Sequence, residues 1–282
     1  MSAPVALVTD STAYLPVDLV SRYDLSVVPL QVVIGGRVRE EGVHVGSSDV
    51  AEALRSWIPV TTSRPSPERF AQAYQAAAEA GAAAIVSMHL SGQLSGTVEA
   101  ASFAAEDAPV PVRVVDSGSV GMGLGLAVLA AARAAVAAGA DVEAVAEAGA
   151  AQAARTRSIF CVDTLEHLRR GGRIGPAAQL VGSALMVKPL LHVVDGHIAP
   201  LEKVRTMSRA IARLTELAEE TAGDAETEVV VHHLAAPERA DQLAARIRER
   251  LPKLRELRIV EVGAVIGAHA GPGMIGTVVA PV

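Results

Sequence analysis

The stretch His89-Leu-Ser-Gly-Gln-Leu-Ser-Gly-Thr97 gathers an imidazole, three hydroxyl side chains and two glycines within nine residues. Residues of these types can offer several hydrogen bonds to one anion. The apolar run Ala82-Ala-Ala-Ile-Val-Ser87 precedes it and Val98-Glu-Ala-Ala-Ser-Phe-Ala follows, the pattern of a strand delivering a loop to a helix start. Ser95 is the candidate N-cap. Its hydroxyl, the backbone around Gly96 and the unpaired N–H groups of a first helical turn would together suit a small anion. A capped helix that binds nothing has the same spacing.

Other chemistries compete for the same residues. A serine hydrolase could be assembled from Ser91 or Ser95, His269 and either Asp116 or Asp10, acting on a small ester through Ser95. The nucleophile elbow needs Gly-x-Ser-x-Gly, however, and in Gly92-Gln-Leu-Ser95-Gly96 the first glycine stands one residue too far away. Eight histidines raise a metal site, but His232 and His233 are neighbours on a strand and point to opposite faces, and the others lack ligand spacing. Gly271-Pro-Gly-Met-Ile-Gly276 matches the dinucleotide fingerprint in letters and fails in context. No helix and no acidic residue are expected after it. Gly121-Met-Gly-Leu-Gly125 reads as close helix packing. No metal or cofactor is expected. Cys161, the one cysteine, lies in an apolar run and reads as a core residue.

The elements that must position these groups alternate through about residue 154. Val5–Thr9 and Leu25–Ile34 are strand-like, as are Ala82–Ser87 and Val110–Val115; helices are expected from Pro16 to Tyr23, Ser48 to Trp57, Pro67 to Ala80 and after Ser95. Such alternation predicts a parallel sheet, whose ligands collect beyond the carboxyl ends of the strands. Asp10-Ser11, Ser91 to Ser95 and Asp116-Ser117 would then share one rim. The two Asp-Ser pairs also fit Asx turns. From Arg155 the order changes: a strand at Ile159–Val162, helices at Thr164–Arg170 and Pro176–Leu185, and a hairpin around Asp195-Gly196. Helices from Ser208 and Pro237 and strands at Glu228–His233, Leu257–Val262 and Gly276–Ala280 follow. The expected organisation is an α/β protein with an N-terminal parallel-sheet domain (1–154) and an α+β domain (155–282).

Composition excludes some partners. With a net charge of −6 and only three Phe, three Tyr and one Trp, the chain lacks the basic surface and stacking platforms of a nucleic-acid binder. The N-terminus lacks a signal-peptide pattern, and a lone cysteine suits a reducing compartment, so a cytoplasmic protein is expected. The longest alanine-rich run, Leu124 to Ala138, carries Arg133 and falls short of the roughly 20 residues that cross a bilayer. It reads as a buried helix.

Taken in order, Thr9-Asp-Ser11, Thr62-Ser-Arg-Pro-Ser66, Leu94-Ser-Gly-Thr97, Val115-Asp-Ser117, Leu168-Arg-Arg-Gly-Gly-Arg-Ile174, Lys188-Pro-Leu190, Lys203-x-Arg205 and His269-Ala-Gly-Pro-Gly273 form a recognisable set. Together they make the whole chain resemble the DegV family of bacterial fatty-acid-binding proteins. The resemblance implies two domains with a long-chain fatty acid in a tunnel between them, and an acyl carboxylate presented to a separate ATP-dependent fatty acid kinase. It implies a lipid carrier that performs no chemistry of its own. Carried over by motif, Thr62, Ser63 and Ser95 would hydrogen-bond the carboxylate from the first domain, and Arg173 and His269 from the second. Two positions depart from the family pattern: Arg64 where Gln is frequent, and Val98 where Tyr is frequent.

Overall fold

Two compact units divide the chain: Met1–Gln31 with Ser63–Ala154, and Val32–Thr62 with Arg155–Val282. The computed structural model describes residues 5–137, 141–180 and 187–282. In chain order the first elements are β1 (Val5–Asp10), α1 (Val17–Arg22), β2 (Ser26–Val28), β3 (Gln31–Ile34), β4 (Arg37–Glu40), α2 (Ser47–Arg55) and β5 (Val60–Ser63). Then come α3 (Pro67–Glu79), β6 (Ala84–His89), α4 (Thr97–Ala105), β7 (Val112–Asp116), α5 (Met122–Ala135) and α6 (Val142–Arg155). The chain continues with β8 (Arg157–Cys161), α7 (Glu166–Arg170), β9 (Lys188–Val194), β10 (His197–Val204) and α8 (Met207–Ala222). It finishes with β11 (Thr227–His233), α9 (Pro237–Arg250), β12 (Leu254–Glu261), α10 (Ala264–Ala270) and β13 (Ile275–Pro281).

The first unit is built on the sheet β2-β1-β6-β7, parallel throughout. Its apolar residues meet α3 and α4: Val8, Val28 and Ile85 from the strands pack with Phe70, Tyr74, Ala100, Ala101 and Ala104. Phe70, Tyr74 and Ala77 recur at helical spacing on α3, so one face of that helix is buried. Fully burying a ring such as Phe70 contributes on the order of 1.5–3 kcal/mol. On α5 the apolar residues run almost all round, and the helix is buried accordingly. A side chain at Gly125 would meet the Ala13 carbonyl at 2.5 Å, so the bare residue allows α5 to approach that closely. The parallel sheet puts Asp10, His89 and Asp116 at strand carboxyl ends, with His89 and Asp116 in register.

The single strand expected over Leu25–Ile34 is two strands in different sheets. Pro29 has no N–H for a ladder, and the next amide, Leu30, donates instead to Ser11 Oγ at 3.0 Å. After that break β3 joins the small sheet β4-β3-β5.

The second unit holds the six-stranded sheet β10-β9-β8-β13-β11-β12, antiparallel except for the β11–β12 pair. The helices α8 and α9 pack together over it, with Ile211, Leu214, Leu243 and Ile247 against Val229, Val231, Ile275 and Val279. The β9–β10 turn has Asp195 at φ 49° and Gly196 at φ 76°, the doubly left-handed pair that two-residue hairpins prefer. In place of a helix over Pro176–Leu185, a single 3-10 segment runs Gly175–Leu180, and residues 181–185 lie outside the described residues. Among the described residues no helix is long and apolar enough to cross a membrane.

A contiguous first domain over 1–154 is not what the chain forms, because Val32–Thr62 belongs with the second unit. Its contacts supply the reason. The α2 helix packs on α10, Ser47 Oγ donates to Glu261 at 3.1 Å, and the Arg170 guanidinium stacks 5.6 Å over the Trp57 ring. Buried Glu41 accepts the Val265 amide at 2.7 Å, satisfying one of the unpaired donors at the start of α10.

Candidate functional site

Ser95 lies in the turn between β6 and α4. The Leu94 and Ser95 amides both donate to the Ser91 carbonyl, at 3.0 and 3.1 Å, which closes the turn one residue early. Gly96, not Ser95, is therefore the N-cap, and no side chain caps α4. The Ser95 hydroxyl lies 2.9 Å from that of Thr97, which is fully buried. Arg64 lies across Gly96, its Cδ 3.0 Å from where a Cβ would stand, and its guanidinium donates to Glu99 at 2.6 Å. Both partners of that ion pair are well exposed.

Thr62 and Ser63 follow one another on β5 and so face opposite ways. Ser63 Oγ donates to Gln31 Oε1 at 3.0 Å. Thr62 Oγ1 meets Nε2 of His269 on α10 at 2.8 Å. The other ring nitrogen of His269, Nδ1, is buried and has no hydrogen-bond partner among the described residues. Burial, and secondarily the charge of Arg173, push the imidazole down to about 4, so it is neutral at pH 7. Arg173 is half-buried and donates to the Gly171 carbonyl at 2.7 Å, just past α7. The structure thus joins Thr62 to His269 with Arg173 beside them, while the hydroxyls of Ser63 and Ser95 engage Gln31 and Thr97.

None of these bonds builds the hydrolase triad. Asp116 accepts the Gly118 amide at 2.8 Å, an Asx turn, and the Gly92 amide at 3.1 Å. Asp10 accepts the Thr12 amide at 3.1 Å, again an Asx turn, together with the Thr12 hydroxyl and the Leu90 amide. Its second oxygen faces Nδ1 of His89 at 3.1 Å, and both side chains are wholly buried. The chain of contacts continues: Tyr74 Oη donates to Ser87 Oγ at 2.8 Å, and Ser87 Oγ lies 2.7 Å from His89 Nε2. Burial raises the Tyr74 hydroxyl to about 12. A sealed Asp-His-Ser-Tyr chain of this kind ties β1, β6 and α3 together.

Sequence reasoning missed this pairing, although Asp10 and His89 were both placed at strand ends. It also missed Asp163, which accepts from Lys188 at 2.8 Å and Arg239 at 3.2 Å and so links the Lys188-Pro segment to the loop at Gly273, where Arg239 also donates to the carbonyl at 2.7 Å. Cys161 is buried, and burial raises its thiol to about 12, which makes it an inert core residue. His232 bonds the Val260 carbonyl at 2.9 Å, and burial holds it at about 4. No group of three metal-ligating side chains gathers among the described residues.

The fold and these groups define a two-unit α/β protein in which a neutral imidazole, His269, meets the Thr62 hydroxyl with Arg173 nearby. The DegV family model, described as "Uncharacterised protein, DegV family", matches residues 4–282, and the chain belongs to that family. A DegV domain-containing protein of Streptomyces coelicolor is 57% identical over 279 residues, 99% of each chain. One from Mycobacterium tuberculosis is 38% identical over 276 residues, covering 98% of this chain and 96% of that one. Among solved structures, a fatty-acid-binding DegV family protein from Thermus thermophilus superposes with a TM-score of 0.94 at 32% identity, covering 99% of this chain and 100% of its own. DegV of Bacillus subtilis, a fatty acid binding protein, gives 0.90 at 30% identity with full coverage of both.

Proposed function

We propose that this chain is a non-enzymatic carrier of a long-chain fatty acid, whose carboxylate is met by Thr62, which His269 holds, and by Arg173. The Thr62–His269 pair carries the reading. With the neutral imidazole hydrogen-bonded to it, the Thr62 hydroxyl can donate to a carboxylate without adding a full buried charge, and Arg173 supplies the charge from beside them. The fatty-acid-binding relatives support the ligand class. An acyl tail offers roughly 0.8 kcal/mol per buried CH₂, on the order of 12 kcal/mol gross for palmitate, enough for tight binding after association costs. In this reading the carrier works in the cytoplasm and hands the carboxylate to an ATP-dependent fatty acid kinase.

Protein purified from cells, extracted and analysed by mass spectrometry, should release acyl chains, and delipidated protein should take up palmitate in near one-to-one ratio. Failure of both sinks the carrier. With a bacterial fatty acid kinase and ATP, the loaded protein should yield acyl phosphate, trapped as hydroxamate. Covalent labelling of Ser95 by a fluorophosphonate probe, abolished in His269→Ala, would instead establish a hydrolase.

A further inference from the structure

We infer that Gly171 is a positioning residue for His269: the space left by its missing side chain is where the imidazole sits, and its carbonyl is the acceptor that holds Arg173 beside the ring. The role rests on the proposed carboxylate site. A Cβ built on Gly171 would coincide with Nδ1 of His269 and lie 2.6 Å from Cε1, so no residue with a side chain is compatible with this ring position. On its other side the Gly171 carbonyl accepts Nη1 of Arg173 at 2.7 Å. One backbone unit therefore sets both groups. The contact is mirrored, because a Cβ on Gly271 would fall on the ring of His167, 2.8 Å from Nε2, and Gly271 has φ 76°. The histidine of each helix, His167 of α7 and His269 of α10, thus packs on the glycine that follows the other helix.

The bare Cα has a chemical consequence. It offers Nδ1 no acceptor, and Nδ1 is buried with no partner among the described residues. A buried N–H left unpaired there is costly, so the ring proton belongs on Nε2, where it donates to Thr62 Oγ1. The hydroxyl proton of Thr62 is then free to turn toward a carboxylate. Gly171 accordingly sets the direction of the relay from His269 through Thr62 to the ligand. Burial, and secondarily the charge of Arg173, disfavours a second ring proton.

The test combines Gly171→Ala, His269→Ala and the double variant, with palmitate as ligand. Gly171→Ala should weaken palmitate on the order of 10- to 100-fold, the scale of one hydrogen bond to a charged acceptor. In the His269→Ala background the same change should cost nothing further. Equal losses in both backgrounds would overturn the role. In ligand-free protein, nitrogen-labelled NMR should place the wild-type ring proton on Nε2, and Gly171→Ala should raise the titration of His269 toward the ordinary histidine range. An unchanged tautomer and titration would also overturn it. Where Gly171→Ala folds poorly, removing the ring in the double variant should restore the thermal transition, and a double variant no better than the single one overturns the contact. If His269→Ala binds palmitate as wild type does, the carboxylate site fails, and the ring measurements alone decide the role of Gly171.

Discussion

At the scale of residues, the donors are distinguished by what each already holds. Thr62→Val keeps the shape of the side chain and removes the hydroxyl that His269 meets. It should weaken palmitate by about 1–3 kcal/mol and its methyl ester by clearly less, because the ester has no anionic oxygen to lose. Competition against a fluorescent fatty acid measures both, and equal losses would assign Thr62 to the fold. Acid should also act through single residues. His269 and His232 both sit at about 4 in the folded chain through burial, below the ordinary 6.5 of the unfolded state. The unfolded chain therefore binds more protons between those values. The stability from keeping each ring neutral is complete above about pH 6.5 and is lost as pH falls toward 4, on the order of 1–3 kcal/mol per histidine. The midpoint of urea unfolding should fall between pH 7 and pH 5, and His232→Gln should flatten that fall. A flat profile in the wild-type protein would refute the burial argument.

At the scale of elements, the parallel sheet is tied at its carboxyl end by Asp10, whose side chain satisfies donors from Thr12, Leu90 and His89. Asp10→Ala would strand several of these without solvent, so a loss of roughly 3–5 kcal/mol is expected from urea unfolding at pH 7. The Arg64–Glu99 pair across the α4 N-terminus is also visible and strong in geometry, yet both groups are exposed. Glu99→Gln should change stability by less than about 1 kcal/mol. The two substitutions together check that burial, rather than bond length, sets the contribution of a polar pair here. Sequence patterns placed α3, α5, α8 and α9, because their apolar or amphipathic surfaces are local features. They did not place α10, since Ala-Val-Ile-Gly-Ala-His-Ala has two small-residue gaps and no capping side chain of its own. One donor of its first turn, the Val265 amide, is satisfied by Glu41, 224 residues earlier.

At the scale of the whole molecule, the chain passes between the two units three times, at Gln31/Val32, Thr62/Ser63 and Ala154/Arg155. A fragment of residues 155–282 alone would lack α2, Glu41 and Thr62, leaving the apolar side of α10 uncovered. That fragment should give no cooperative thermal transition, whereas adding residues 32–62 through a flexible linker should restore one. A dispersed NMR spectrum and cooperative melting from 155–282 by itself would show that the excursion is dispensable. What the sequence by itself determined was the alternation of strands and helices, the Asp195-Gly196 hairpin, the change of order at residue 155 and the family, because periodicity, turn chemistry and motif order are written in neighbouring residues. Only the tertiary structure decided that Val32–Thr62 joins the second unit, that Gly96 caps α4, that Asp10 serves His89, and that Thr62 meets His269. Each of those is a contact between residues far apart in the chain or a backbone angle set by such contacts, and a hydroxyl, carboxylate or imidazole has the same local signature whichever partner the fold brings to it.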